Sequence, residues 1–246
     1  MDQLTVTSWN CFGLKRNREF IRDLCQQSNI IALQETLLWP HDMALTDNIH
    51  PDFNSYSKSS MDTSSHIVIG RPHGGMSFMW HKSIDNAISI INFNSDRLLG
   101  LYFQSNNVKI LFINVYLPYE CHSNFDHYCQ TLGDIFSITQ DSAADQICIL
   151  GDFNAHPNKL FYNELVQFCQ DHSFIMSDVT LLPPSSYTYI HHGSLATSWL
   201  DHCLTNQPLH QSITHCNILY DTGITDDHLP LQIKLNLPQP PFPVSS

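Results

Sequence analysis

A strand–helix–strand unit occurs twice in this chain, each time with a polar side chain at the mouth of its strands, and this pattern constrains the fold more than any other feature. Residues 4–13, LTVTSWNCFG, alternate as a strand does. Residues 18–28, REFIRDLCQQS, repeat apolar side chains at helical spacing, and 30–35, IIALQE, make a short apolar strand that ends on Glu35. The plan returns further on. VKILFINVYLP reads as a strand ending near Tyr116, NFDHYCQTLGDIFSITQD has helical periodicity, and QICILGDFN is a core strand stopped by Gly151 and followed by Asp152 and Asn154. Both units carry polar groups to the carboxyl ends of core strands, where ligands gather in α/β sheets.

Between the units, GGMSFMWH and RLLGLYFQSNNVKIL read as antiparallel strands joined by turns, with SNN a hairpin candidate. After the second unit, KLFYNELVQFCQDHSF reads as a helix. SYTYIHHGSLATSWLDHCLTN gives two strands around a polar loop, and GITDDHLPLQIKLNL gives a last strand preceded by Asp226, Asp227 and His228. One domain over residues 1–237 is expected, with the Pro-rich stretch 238–246 as a tail or linker.

Composition narrows the function classes. A chain of 246 residues, 42% hydrophobic, can bury a large single core, and it has no run of about 18 apolar residues for a membrane span. Its first ten residues lack the basic and apolar regions of a signal peptide, so an intracellular chain with no membrane role is expected. The eight cysteines include no CxxC pair, which suits a reduced compartment, and none of the histidine-rich spots has the spacing of a structural zinc site. A net charge of −12 argues against a non-specific nucleic-acid coat, yet leaves room for an enzyme that meets phosphate through a divalent metal. Basic spots survive at Lys15, Arg16, Arg18 and Arg22, and at Arg71, His73, His81 and Lys82, each readable as a solvated face.

Eight polar groups stand at apolar strand ends: Asn10, Glu35, Tyr116, Asp152, Asn154, Asp201, Asp227 and His228. Any one of them could be a turn former or a cap. Together, carboxylates with amides and one histidine make an oxygen-rich site suited to Mg²⁺ or Mn²⁺.

The motifs TSWNCFG, ALQE, NVYLP, GDFNAH, SYTY, SWLDH and TDDHLPL follow one another in an order and approximate spacing that resembles the endonuclease/exonuclease/phosphatase superfamily, over about Leu4 to Leu237. Within it, GRPHGGMSFMWHKS and NVYLP look most like the apurinic-like endonuclease domain of non-LTR (LINE-type) retrotransposons. The resemblance implies an α/β fold of DNase I type, a four-layer sandwich of two facing mixed β-sheets flanked by helices. It also implies a Mg²⁺-dependent endonuclease, with Mn²⁺ able to substitute, that nicks double-stranded DNA and leaves a 3′-hydroxyl to prime reverse transcription. The partner would then be a fused reverse transcriptase and the place of action the nucleus. A phosphatase or repair-type apurinic endonuclease of the same superfamily, and a non-catalytic binding module, are the alternatives.

Carried over by motif, the resemblance makes Glu35 the main metal ligand, with Asn10 beside it and Asp227 completing the network. Asp152 would orient and deprotonate the attacking water, helped by Asn154. Tyr116 would donate to the scissile phosphate, and His228, held by Asp201, would stabilise developing charge. Thr188 and Ser198 match positions that brace phosphate and the Asp201 loop, while Arg16, His191 and His192 are further substrate-binding candidates. The chain departs from the apurinic endonuclease pattern at Phe12, where an acid is usual, at Tyr119, where an asparagine is usual, and at Asp226, an extra carboxylate. The first departure points toward the retrotransposon branch.

Overall fold

The computed structural model describes residues 3–63, 70–105, 108–220 and 227–237. The first unit is β1 (Gln3–Asn10), α1 (Arg18–Cys25) and β2 (Ile30–Gln34), followed by β3 (Phe53–Lys58), β4 (Met76–His81), β5 (Ile88–Ile91) and β6 (Leu98–Ser105). The second unit is β7 (Val108–Tyr116), α2 (Phe125–Asp141) and β8 (Gln146–Asp152). The chain continues through α3 (Leu160–Asp171), β9 (Ile175–Met176), α4 (Ser177–Leu181), β10 (Tyr189–Ile190) and β11 (Thr197–Ser198). It closes with β12 (Asp201–Thr205), α5 (Gln207–Ser212), β13 (Ile213–Ile218) and β14 (Leu231–Asn236).

Two six-stranded mixed sheets result, in the orders β13-β14-β1-β2-β4-β3 and β5-β6-β7-β8-β12-β9. Each is centred on the parallel pair that its strand–helix–strand unit creates, β1 with β2 and β7 with β8. Because side chains alternate across a strand, one set of residues fills the space between the sheets and the next set faces helices. Leu4, Val6, Ile30, Ala32, Ile110, Phe112, Cys148 and Leu150 are inner. Trp9, Ile31 and Leu33 pack outward against Ile21 and Leu24 of α1, whereas Leu111, Ile113 and Ile149 pack against Tyr128, Leu132 and Ile135 of α2 and Phe161 and Leu165 of α3. The helical residues recur at three- and four-residue spacing, the stripe that an amphipathic helix buries. The fold is thus the four-layer α/β sandwich with two facing sheets. Phe112, fully buried between the layers, anchors the join, and its truncation to alanine would cost about 3–5 kcal/mol.

The stretches read as antiparallel strands joined by turns are antiparallel strands, but they stand in different sheets, β4 pairing with β2 and β3 in the first and β6 with β5 and β7 in the second. Proximity in sequence misleads here because the chain crosses between layers at residues 82–88. The strand β3 escapes sequence reading because FNSYSK is mostly polar, and as the sheet's last strand it buries only Phe53. Of the SNN hairpin candidate, residues 106–107 lie outside the described residues, although Ser105 pairs with Val108 as a tight connection requires. Asp226 and the Pro-rich stretch 238–246 also lie outside them. All eight cysteines are free thiols, and no helix among the described residues is long and apolar enough to cross a membrane.

Candidate active site

The inner faces of the central strands turn polar toward one edge of the sandwich. Along β1, Leu4 and Val6 give way to Ser8 and Asn10; along β7, Ile110 and Phe112 give way to Asn114 and Tyr116; along β8, Cys148 and Leu150 give way to Asp152. Registry then lines these ends up. Tyr116 pairs with Asp152 on one side, and Asp201, the first residue of antiparallel β12, pairs with Asp152 on the other. Gly151 makes this possible. Its φ is +146°, and a Cβ there would lie 2.0 Å from the Val115 carbonyl oxygen, so only glycine lets β7 and β8 close up beneath Asp152.

Beneath the polar ends, Gln34 Nε2 donates to Asn114 Oδ1 at 2.7 Å and to Ser8 Oγ at 3.1 Å, while Asn114 Nδ2 donates to the Leu33 and Ser77 carbonyls at 3.0 and 3.1 Å. These buried side chains tie one sheet to the other just behind the site. Their amide N–H groups are spent on one another and on backbone carbonyls, while Gln34 Oε1 is buried without a partner.

At the surface of this floor, Asn10 Nδ2 reaches Asp152 Oδ2 at 2.9 Å and Glu35 Oε1 at 3.2 Å, so carboxylates from the two sheets flank one amide. Asp152 Oδ1 accepts the Asn154 backbone N–H at 2.9 Å. His228 Nδ1 lies 2.8 Å from Asp201 Oδ2, and its Nε2 lies 3.8 Å from Asp152 Oδ2. Thr188 Oγ1 accepts the backbone N–H groups of Leu200 and Asp201, both at 3.0 Å, which fixes the start of β12. The Tyr116 hydroxyl faces the Glu35 carboxylate.

Burial and charge set the proton affinities. Asp152 is 1% exposed, and that burial pushes its carboxyl up to about 7 against the pull of His228. For His228 burial opposes protonation, but the adjacent Asp201 and Asp152 carboxylates outweigh it and hold the imidazole at about 9. An imidazolium gripped by a carboxylate on one nitrogen and facing a raised carboxyl on the other is an acid–base pair. Tyr116 is raised by burial and by Glu35, so it stays a neutral hydrogen-bond donor.

A model of the Endonuclease/Exonuclease/phosphatase family matches residues 7–222. The chain belongs to this family. Solved structures agree in fold: a 3′ phosphatase (NExo) from Neisseria bound to product DNA hairpin is 15% identical with a TM-score of 0.75, covering 95% of this chain and 100% of that one. The AP endonuclease LMAP from Leishmania major is 14% identical, TM-score 0.75, covering 96% and 89%. The endonuclease domain of TRAS1, a telomere-specific non-LTR retrotransposon, is 11% identical, TM-score 0.70, covering 96% and 99%. No curated protein matches in sequence.

In this family member, the residues picked from the sequence fall into two groups. Asn10, Glu35, Tyr116, Asp152, Asn154, Asp201, His228 and Thr188 meet around one floor through the contacts above. Asn154, at φ 50°, spends one amide N–H on the Leu117 carbonyl at 2.9 Å. Asp227 stands apart: its carboxylate engages His192 and Tyr189, outside the described group of Asp152, Asp201 and His228 whose ligand atoms lie within 4.8 Å of one another. Its backbone faces the same way, its carbonyl accepting the Ile190 N–H of β10 at 2.7 Å. Ser198 pairs with Tyr189 in the β10–β11 hairpin, whose tip carries exposed His191 and His192. Arg16 lines a pocket beside Glu35.

Sequence reading missed Arg97. Its guanidinium carbon sits 5.0 Å over the Tyr116 ring, Nη1 donates to the Tyr116 carbonyl at 3.2 Å, and Nε is buried without a protein partner. It immediately precedes β6, at the amino end of a strand and not the carboxyl end where the other polar groups stand, so only the pairing of β6 with β7 reveals it. Tyr119, the departure after YLP, stands 68% exposed at the rim of the same side.

The residues fit a divalent cation. Three carboxylates, Glu35, Asp152 and Asp201, face one imidazolium, and Asp201 Oδ1 is buried without a hydrogen bond. Hard oxygen donors in excess negative charge suit Mg²⁺ or Mn²⁺. Glu35 and Asn10, at the more open end, are the better ligands; a protonated His228 has no lone pair to give.

Proposed function

We propose that this family member is a divalent-metal-dependent DNA endonuclease that hydrolyses one phosphodiester and leaves a 3′-hydroxyl. The observation that carries this reading is the run Glu35–Asn10–Asp152–His228–Asp201, which puts a cation site, a base and a charge stabiliser along one floor. Asp152, with its proton affinity raised toward neutrality, is suited to take a proton from the attacking water, and its contacts to Asn10 and the Asn154 N–H aim its oxygens. His228, held by Asp201, places its Nε2–H toward the phosphoryl oxygen on which charge develops. Tyr116 donates its hydroxyl to a nonbridging oxygen once phosphate displaces Glu35 as its partner. Glu35 and Asn10 would hold the divalent ion, which neutralises phosphate charge and helps the 3′-oxygen leave. Asp227, through His192, couples the hairpin to this floor and is a positioning group.

Within the family we favour the non-LTR retrotransposon branch, in which the 3′-hydroxyl primes reverse transcription and the nuclease unit, residues 1–237, is one part of a polypeptide that carries a reverse transcriptase and acts in the nucleus. One observation supports it: Phe12 stands near the cation site in place of an acid. The test uses supercoiled plasmid. Relaxation that needs Mg²⁺ or Mn²⁺, stops with EDTA, and yields nicks that a DNA polymerase extends without end repair is the expected result. Activity undiminished by EDTA, or release of phosphate from a 3′-phosphorylated oligonucleotide with no relaxation, would overturn the reading in favour of another metal requirement or a phosphatase.

A further inference from the structure

Beside the cation site, on the β1–β2 side, a cavity of about 530 Å³ opens between the turns that follow those two strands. That size lies within the range of ligand pockets, far beyond what one metal ion fills. Its apolar wall is Phe12, Leu37 and Pro72, its inner end is Glu35 with Tyr116, and Lys15, Arg16 and Arg71 reach into it. Three of the eleven Lys and Arg in a chain of net charge −12 meet there; Lys15 is paired with Asp42 at 2.7 Å, so Arg16 and Arg71 carry the anion-binding signal against the background charge.

Two further observations point the same way. Phe12 is 46% exposed, and the Arg16 guanidinium carbon lies 5.4 Å from its ring centroid, so an aromatic face and a cation present themselves together. Moreover, Phe12, Glu35 and Leu37 all hold left-handed backbone, at φ 38°, 49° and 52°. The Gly13 N–H donates to the Glu35 carbonyl at 2.8 Å and the Leu37 N–H to the Gly74 carbonyl at 3.0 Å, bonds that impose the strained turns and turn Phe12 outward. Strain collected at one cleft marks a site that the surrounding structure maintains.

We propose that this pocket holds a single nucleotide withdrawn from base stacking, its base laid on Phe12 between Leu37 and Pro72 and its phosphate directed to Arg16 and Arg71. A paired base in B-form DNA offers no free face to a ring inside a concavity, whereas an unpaired base does, and stacking on aromatic side chains is indifferent to base identity. The pocket therefore selects DNA that is locally unpaired next to the cut. The DNA substrate rests on the nuclease reading above.

The test measures binding by fluorescence anisotropy with the Asp152→Asn protein, using a paired duplex and the same duplex carrying one bulged nucleotide stepped along one strand. At one bulge position affinity should rise about tenfold over the paired duplex. Phe12→Ala should bring that ratio close to one, Phe12→Trp should keep it, and Arg71→Ala should weaken both duplexes and lower the salt slope by about one. No preference at any bulge position, or a preference untouched by Phe12→Ala, would overturn the pocket even if wild-type protein nicks plasmid. A Phe12-dependent preference in a protein that never nicks would uphold the pocket and overturn the nuclease reading instead.

Discussion

The floor contributed by β7, β8 and β12 is a row of paired strand ends, whereas the wall contributed by β1 and β2 leaves its sheet through residues in left-handed backbone. Both come from the same strand–helix–strand plan. On the floor, Tyr116, Asp152 and Asp201 are hydrogen-bonded neighbours in the ladder, backed by the 17-residue α2 and the 12-residue α3. On the wall, Asn10 still belongs to its strand, but Glu35 lies one residue past β2, and the cover there is the eight-residue α1. Proton transfer demands fixed distances, and the paired floor supplies them. Contact with varied DNA and a cation needs reach, which the strained turns beside the open pocket provide.

This contrast can be broken in order of expected effect. Asp152→Ala removes the base and should lower kcat by about 10⁴-fold with an unchanged circular-dichroism melt, since the carboxylate sits at a strand end and outside the apolar core. A loss below tenfold would move the chemistry off the floor. Tyr116→Phe should cost about 10²-fold in kcat, the effect of losing one donor to a developing charge. Should that variant lose affinity and not rate, Tyr116 belongs to binding, with the wall.

Behind the floor, His202 pairs with Asp178 at 2.8 Å and donates from Nε2 to the Ala155 carbonyl at 2.8 Å, anchoring the loop that carries Asp152 and Asn154. Burial opposes its protonation, yet Asp178 and the Ala155 carbonyl raise its proton affinity above the ordinary histidine value of 6.5. A group raised on folding contributes its full stability below its unfolded value and loses it as pH climbs through the folded one. Wild-type Tm should therefore fall more steeply than that of His202→Gln as pH rises above the ordinary histidine value. Parallel Tm profiles would deny the pair this role.

The smallest effect concerns neither sheet. Replacing residues 191–196 at the β10–β11 tip with a Gly-Ser turn should leave the nicking rate within about threefold while redistributing nick positions, because the tip offers two histidines, exposed Leu195 and small residues but no Arg, Asn or Gln, which suits groove shape better than base edges. An unchanged nick map at unchanged rate would remove the hairpin from target choice.

The two halves also differ in how far their sequences disclose them. Alternation in VKILFINVYLP and QICILGDFN puts Tyr116 and Asp152 on one face, and Gly151 marks the close approach, so most of the floor is legible. The wall is not: nothing in NCFG or QETLL announces left-handed Phe12, Glu35 or Leu37, because that geometry is imposed by hydrogen bonds from residues 11–14 to residues 34–36 and from residues 36–37 to residues 74–75. Arg16 and Arg71, 55 residues apart in sequence, look like separate solvated faces until the turns bring them to one pocket. Asp227 misleads in the opposite sense, since a carboxylate next to His228 invites a metal role while its side chain turns to the hairpin.

In the proposed nuclease, floor and wall act on one transition state, joined where Asn10 Nδ2 touches both Glu35 and Asp152. The direct measurement is kcat for Asp152→Ala, Glu35→Ala and the double variant at saturating Mg²⁺ on one nicked site. Groups that work as a unit are grossly non-additive, so the double should fall within about threefold of the worse single. Losses that multiply would contradict the claim and make the two halves independent contributors.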